Sequence, residues 1–202
     1  NCCLIVDGVL QRTVAIFPQK EYTLSEEVKW LGEGCIYIKQ SGFTLSIPDS
    51  VEGLDKGAQT VTESSSQIQA LKGKFIVDSR SMVVDGVLCG VAGYKLTKYQ
   101  IPDDVTKISE MLFYNCSYLK EVRMPKTITQ IASQAFNGCK NLEYVYCQAI
   151  EPPQTGLSSG EANIFKGIET PPTIYVPRES LAKYQQSKYW RAYADKLVPY
   201  DF

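Results

Sequence analysis

Residues 101–123 read IPDDVTKISEMLFYNCSYLKEVR, and residues 124–146 read MPKTITQIASQAFNGCKNLEYVY. The two segments align without a gap, so each apolar landmark recurs after 23 residues. The aligned pairs are Ile101 and Met124, Val105 and Ile128, Ile108 and Ile131, Phe113 and Phe136, Cys116 and Cys139, Leu119 and Leu142, and Val122 and Val145. Self-similarity at a fixed period of this length is typical of a solenoid, in which each unit covers its apolar edge with its neighbours.

Each unit also contains a predicted strand. A Leu-x-x-Val spacing that ends two residues later in a third apolar residue begins at Leu119 and again at Leu142. This is the strand spacing of a leucine-rich repeat, and its last two apolar residues point to the same face. We expect Phe113 and Phe136 to stack in one buried column, because each repeat unit lies directly on the next.

Two Asp-Gly pairs, Asp7-Gly8 and Asp85-Gly86, separate runs of β-prone residues and predict two β-hairpins. Between them the 23-residue period continues as degenerate repeats. Here Leu24, Val28, Leu31 and Gly34 align with Ile47, Val51, Leu54 and Gly57. Polar composition predicts an irregular rung or mobile loop over residues 59–69 and a loop over residues 151–160.

The end of the chain has a different pattern. The side chains of Leu181, Tyr184, Tyr189 with Trp190, Tyr193 and Leu197 recur at helical spacings, which predicts an amphipathic helix over residues 179–196. Such a helix would cover the last rung, because the terminal repeat of a solenoid must present a polar outer face.

Together these patterns predict an α/β repeat fold. It is a β-rich leucine-rich-repeat solenoid with short strands on the concave face, β-hairpin insertions and a C-terminal capping helix. We interpret residues 1–202 as a single solenoid. Its parts are an N-terminal hairpin and lead-in (1–21), degenerate repeats (22–78), a hairpin insertion (79–98), regular repeats with a loop (99–177) and the capping helix (178–202).

Composition excludes several classes of function. The net charge is -1, from 21 basic and 22 acidic residues without a basic stripe, which argues against nucleic acid as a partner. The chain has no His, the commonest general base and metal ligand. Adjacent carboxylates such as Asp103 and Asp104 face apart on an extended chain. We therefore predict no enzymatic activity, cofactor or metal, and no apolar run approaches the roughly 18 residues of a membrane span.

The cysteines form neither a zinc motif nor a complete disulfide framework. Seven are present, an odd number without a C-x-x-C pair. A rung spacing of about 4.8 Å would allow a bridge between Cys116 and Cys139. We favour the alternative that both are small fillers of one core column.

These residues resemble the BspA-like leucine-rich repeat family of bacterial cell-surface proteins. The resemblance lies in the 23-residue frame of residues 101–147, the hairpin segment CLIVDGVL at residues 3–10, and the closing IYVP segment with its Tyr- and Trp-rich helix. It implies a secreted or surface-displayed protein, with any signal or lipid anchor outside this sequence. For some members it implies adhesion to host matrix proteins or other cells.

The repeat register predicts which side chains point outward from the strands. One ladder contains Thr23, Ser46, Gln69, Gln100, Arg123, Tyr146 and Tyr175, and a second contains Lys20, Phe43, Ser66, Thr97, Lys120 and Glu143. Six steps of about 4.8 Å would give a concave face about 29 Å long. The residue types enriched at hot spots concentrate near its C-terminal end. The candidate partner-binding residues are Lys120, Arg123, Glu143, Tyr144, Tyr146 and Tyr175.

The leading prediction is a non-enzymatic module that binds a protein through its concave face, either a host matrix protein or another cell-surface protein. One alternative is a carbohydrate-binding module that uses the C-terminal tyrosines, with a glycan as its partner. A second is a structural spacer within a larger surface protein, and a hydrolase is the least favoured.

Overall fold

The computed structural model describes residues 3–13, 20–36, 41–56, 58, 65–156 and 163–202. In these ranges the chain is a β-solenoid of about seven turns, built mostly from short strands, with one short C-terminal helix. The strands are β1 (Cys3–Val6), β2 (Val9–Thr13), β3 (Glu21–Thr23), β4 (Trp30–Leu31), β5 (Phe43–Ile47), β6 (Gly53–Leu54), β7 (Ile68–Gly73), β8 (Ile76–Asp78), β9 (Ser81–Val84), β10 (Val87–Val91), β11 (Lys98–Gln100), β12 (Lys107–Ile108), β13 (Glu121–Met124), β14 (Gln130–Ile131), β15 (Tyr144–Cys147), β16 (Gln154–Thr155), β17 (Thr173–Pro177) and β18 (Leu197–Tyr200). The helix is α1 (Leu181–Gln186).

Both Asp-Gly hairpins are confirmed. Strand β1 pairs antiparallel with β2, and β9 with β10. The φ angles are 51° and 76° at Asp7 and Gly8, and 49° and 74° at Asp85 and Gly86. A type I′ turn requires positive φ at both central residues, and Asp-Gly is among the pairs that tolerate it best. Strand β8 adds a third antiparallel strand beside β9.

The described strands form four sheets. Two contain the longer strands of the repeats, in the orders β3-β5-β7 and β11-β13-β15-β17-β18. The other two contain the hairpins and short strands, in the orders β1-β2-β4-β6 and β16-β14-β12-β10-β9-β8. Successive rungs pair in parallel, with Val122 opposite both Tyr99 and Val145. The 23-residue period is therefore the length of one turn.

The expectation of one continuous outward ladder is wrong, because its strands divide into the three-stranded and five-stranded sheets. Strand β7 also enters with a register shift, so that Lys72 lies opposite Ser46 where Gln69 was expected. Phe43, assigned to the second ladder, is fully buried. Burying a large apolar side chain at that position stabilises the fold more than leaving it exposed on the surface.

The predicted core column is confirmed. Phe113 and Phe136 are fully buried, and their rings stack with centroids 4.9 Å apart and planes 8° apart. Phe165 continues the column 5.8 Å beyond Phe136, and Tyr99 meets Phe113 edge-on at 5.5 Å. The rings thus connect successive rungs into one core.

Cys116 and Cys139 are buried free thiols in this core, as the filler interpretation requires. The Cys139 thiol donates a hydrogen bond to the carbonyl of Phe113, with the sulfur 3.0 Å from the oxygen. Burial raises the pKa of Cys139 to about 12 and also raises the pKa of Cys116. Neither thiol therefore forms the reactive thiolate at neutral pH.

The predicted C-terminal helix is confirmed, but its predicted extent over residues 179–196 is wrong. Helix α1 ends at Gln186, and residues 191–196 form a separate 3-10 segment interrupted by non-helical dihedral angles at Tyr193. The helix does not continue, because two buried polar rings must each reach a fixed backbone carbonyl on the last turn. Tyr184 donates to the carbonyl of Ala149 at 2.8 Å, and Trp190 to that of Pro153 at 2.7 Å.

The predicted loops are only partly correct. Residues 154–155, within the expected loop over residues 151–160, form β16. Residues 65–67, within the expected irregular rung, form a 3-10 turn that leads into β7. Gly57, residues 59–64, residues 157–160 and Cys2 lie outside the described residues.

We predict that Phe136→Ala destabilises the protein by about 3 to 5 kcal/mol, the usual loss on emptying a buried aromatic site. The reason is that Phe136 contacts rings on both sides, Phe113 and Phe165. Urea unfolding followed by far-UV circular dichroism measures the loss. A value below about 1 kcal/mol would contradict the stacked column.

Candidate functional site

Three of the candidate residues form a stack along the five-stranded sheet. Arg123, Tyr146 and Tyr175 are direct register partners on β13, β15 and β17. The rings of Tyr146 and Tyr175 lie 4.6 Å apart with planes 13° apart, and the guanidinium carbon of Arg123 lies 4.0 Å above the Tyr146 ring. Both the spacing and the order of this stack follow from the parallel register of the rungs.

Two residues that sequence reasoning missed extend the stack. Tyr200, on β18, meets the rings of Tyr175 and Tyr146 edge-on at 5.4 and 5.5 Å, and Phe202 meets Tyr200 edge-on at 5.0 Å. The period itself could have found β18, because Leu197 lies 23 residues after Ile174 and is its register partner.

An ion cluster fixes the other end of the stack. Arg123 Nε donates to Glu121 Oε1 at 2.8 Å, and Lys98 Nζ lies 3.2 Å from Glu121 Oε2. The Glu121 side chain is 14% exposed, against 74% for Lys98. Burial alone would raise the pKa of Glu121, but the hydrogen bonds from Arg123 and Lys98 outweigh it and lower the pKa. The carboxylate therefore stays ionised and holds Arg123 over the ring.

The remaining candidates border the stack. Tyr144 is 39% exposed, and its ring centroid is 6.4 Å from that of Tyr175. Lys120 and Glu143 form an exposed ion pair at 3.9 Å, one residue before the starts of β13 and β15. Glu143 and Tyr144 also line a cleft of about 390 Å³ together with Thr173 and Lys196. The structure thus brings all six candidate residues to one part of the surface.

The geometry of the stack limits its chemistry. Tyr146 has Arg123 over its ring and Tyr175 stacked against it. Burial and the nearby Glu121 carboxylate raise the pKa of Tyr146, so it remains a neutral phenol. In the described part of the chain no group of three or more Cys, Asp or Glu side chains could hold a metal ion. The arrangement is suited to non-covalent recognition.

No helix within the described ranges combines the length and the apolar character that a membrane crossing requires.

The chain matches a model described as BspA type Leucine rich repeat region, in six copies over residues 92–188. It is similar to a leucine rich cell surface protein of Faecalibacterium prausnitzii, with 18% identity and a TM-score of 0.39 over 81% of this chain and 39% of that one. It is also similar to a leucine-rich repeat protein of Eubacterium ventriosum, with 15% identity and a TM-score of 0.43 over 78% of this chain and 47% of that one. The chain therefore spans less than half the length of either structure. No curated protein matches it.

We predict that Glu121→Gln destabilises the protein at neutral pH by about 1 kcal/mol, because Arg123 and Lys98 lose an ionised partner. The folded-state pKa of Glu121 is lowered, so its contribution is present above the unfolded-state pKa and is lost as pH falls through the folded-state value. Unfolding midpoints of the two proteins should therefore converge in acid. A difference that is constant between neutral and acidic pH would contradict this account.

Proposed function

Because the chain belongs to the BspA-type leucine rich repeat family, we propose that it is a non-enzymatic module that binds a protein partner. The binding surface is the outer face of the five-stranded sheet, centred on Arg123, Tyr146, Tyr175 and Tyr200. The family resemblance also supports a secreted or cell-surface location. We propose a host matrix protein or another cell-surface protein as the partner.

The continuous stack from Arg123 to Phe202 is the observation that carries this proposal. Arginine and tyrosine are enriched among the residues that dominate binding energy at protein interfaces. Ordering a side chain at an interface costs about 0.5 to 1.5 kcal/mol. Here Tyr146 is already held between Arg123 and Tyr175, so much of that ordering precedes binding.

The size of the sheet indicates how the partner binds. Four steps of about 4.8 Å between five strands give about 19 Å along the stack, and a four-residue strand is about 13 Å long. This area of about 250 Å² is well below the roughly 800 Å² that each partner buries in a standard interface. We therefore propose that the partner also enters the cleft beside Tyr144 and Lys196, which continues from the sheet.

The same geometry disfavours the carbohydrate alternative at these tyrosines. A sugar ring stacks on the open face of an aromatic side chain, but Arg123 and Tyr175 both pack against the Tyr146 ring. The ring of Tyr200 further meets that of Tyr175. Tyr146 therefore offers a partner its ring edge and phenol group, which suit the mixed apolar and hydrogen-bonding surface of a protein.

We predict that Arg123→Ala combined with Tyr146→Ala weakens partner binding by at least about thirtyfold, the loss expected for hot-spot residues. Biolayer interferometry against a panel of matrix proteins and cell-surface extracts would identify and quantify binding. A glycan array run in parallel tests the carbohydrate alternative.

The matched control is Lys107→Ala combined with Gln130→Ala. These two residues are also register partners on adjacent rungs, but they lie on β12 and β14 of a different sheet. The control should bind as the unaltered chain does, and melting temperatures verify that both variants fold. Undiminished binding by the first pair, or equal loss in both, would refute the proposed surface.

A further inference from the structure

The cations beside the tyrosine stack outnumber the carboxylates that pair with them. Glu121 is shared by Arg123 and Lys98, at 2.8 and 3.2 Å. This cluster has a net charge of +1, whereas five other ion pairs each join one cation to one carboxylate. Those pairs are Lys72 with Glu21, Lys120 with Glu143, Arg178 with Asp201, Lys183 with Glu151, and Lys196 with Asp195.

Most of the hydrogen-bond donors of Arg123 have no acceptor among the described residues. Its guanidinium has five N–H groups, and the contact with Glu121 uses the one on Nε. The four on its two terminal nitrogens make no hydrogen bond to any other residue that the structure describes. Arg178 differs, because its Nε and one terminal nitrogen donate to both oxygens of Asp201 at 2.9 Å. Arg123 is therefore open to a further acceptor, and its side chain is 37% exposed.

The orientation of Arg123 is also fixed in advance. Glu121 holds Nε while the ring of Tyr146 supports the guanidinium plane at 4.0 Å. A planar fork held in this way matches the two oxygens of a carboxylate and binds them through two parallel hydrogen bonds. The exposed ammonium of Lys98 adds a second positive charge beside it.

We infer that this surface binds an extended acidic segment of a protein, with one Asp or Glu carboxylate held by Arg123 and Lys98. This inference rests on the proposed function and specifies its partner. From β13 to β18 there are three rungs, about 14 Å, which an extended chain covers in about four residues. An apolar or aromatic side chain about four positions from the carboxylate would therefore rest against Tyr200 and Phe202.

Charge distribution favours an acidic peptide over a sulfated polysaccharide. A polyanion requires a row of cations at regular intervals. Along this sheet the register neighbours of Arg123 are Gln100 on one side and Tyr146 on the other, both uncharged. A single carboxylate flanked by apolar groups matches one positive cluster followed by aromatic rings.

The test is a selection of displayed random peptides of about ten residues on the immobilised chain, with counter-selection against Arg123→Gln. We expect binders enriched in Asp or Glu about four positions from an aromatic or large apolar residue. Each selected peptide is then compared, by fluorescence polarisation, with a twin in which the acid is replaced by its amide. The amide twin and Arg123→Gln should each weaken binding by about ten- to a hundredfold, and together by little more.

Lys72→Gln is the matched control, because its ion pair with Glu21 lies on the three-stranded sheet, away from this surface, and it should leave the affinity unchanged. Equal binding of acid and amide peptides, selection of neutral peptides or of none, or binding of heparin in place of peptides would each overturn the inference. If Tyr146→Ala still abolished binding of neutral peptides, the proposed surface would stand without its acidic partner. If neither Arg123→Gln nor Tyr146→Ala changed peptide binding, both the proposed surface and the acidic partner would be refuted.

Discussion

The stacking of Phe113 on Phe136, with ring centroids 4.9 Å apart, is the contact on which the rest of the structure depends. Parallel strands lie about 4.8 Å apart, so the inner rings and the backbone hydrogen bonds impose the same distance between rungs. A slip of one residue would turn buried Val122 outward and Arg123 into the core. The core column therefore fixes the register of the surface as well as the stability of the fold.

The outer stack is a consequence of that register. Tyr146 and Tyr175 can stack at 4.6 Å because their backbones are already held one rung apart. The energy that aligns them comes from apolar burial inside the coil, at about 25 cal/mol per Å². Outward positions contribute less to the core and are free to differ in chemistry from rung to rung. A repeat of this kind thus separates the residues that hold the rungs in register from those that give the outer face its chemistry.

Sequence reasoning succeeded where one local pattern had one structural solution. The 23-residue period and the Asp-Gly turns are such patterns, and so is the alignment of Arg123 with Tyr146. It failed where a longer-range constraint prevailed. The register shift at β7 that moved Gln69 out of the ladder has no marker in composition. The aromatic spacing of the cap suggested a helix, but those rings satisfy acceptors on the last turn, and Tyr200 belongs to an added strand.

Arg123 is held over the ring of Tyr146 in the unliganded chain. Proton NMR of the unliganded chain can detect this contact, because an aromatic ring shifts the resonances of a group above its face to high field. We expect the δ and ε protons of Arg123 to be shifted to high field, and we expect Tyr146→Leu to return them to ordinary values while the protein stays folded. Ordinary Arg123 shifts in the unaltered chain would contradict a preformed stack.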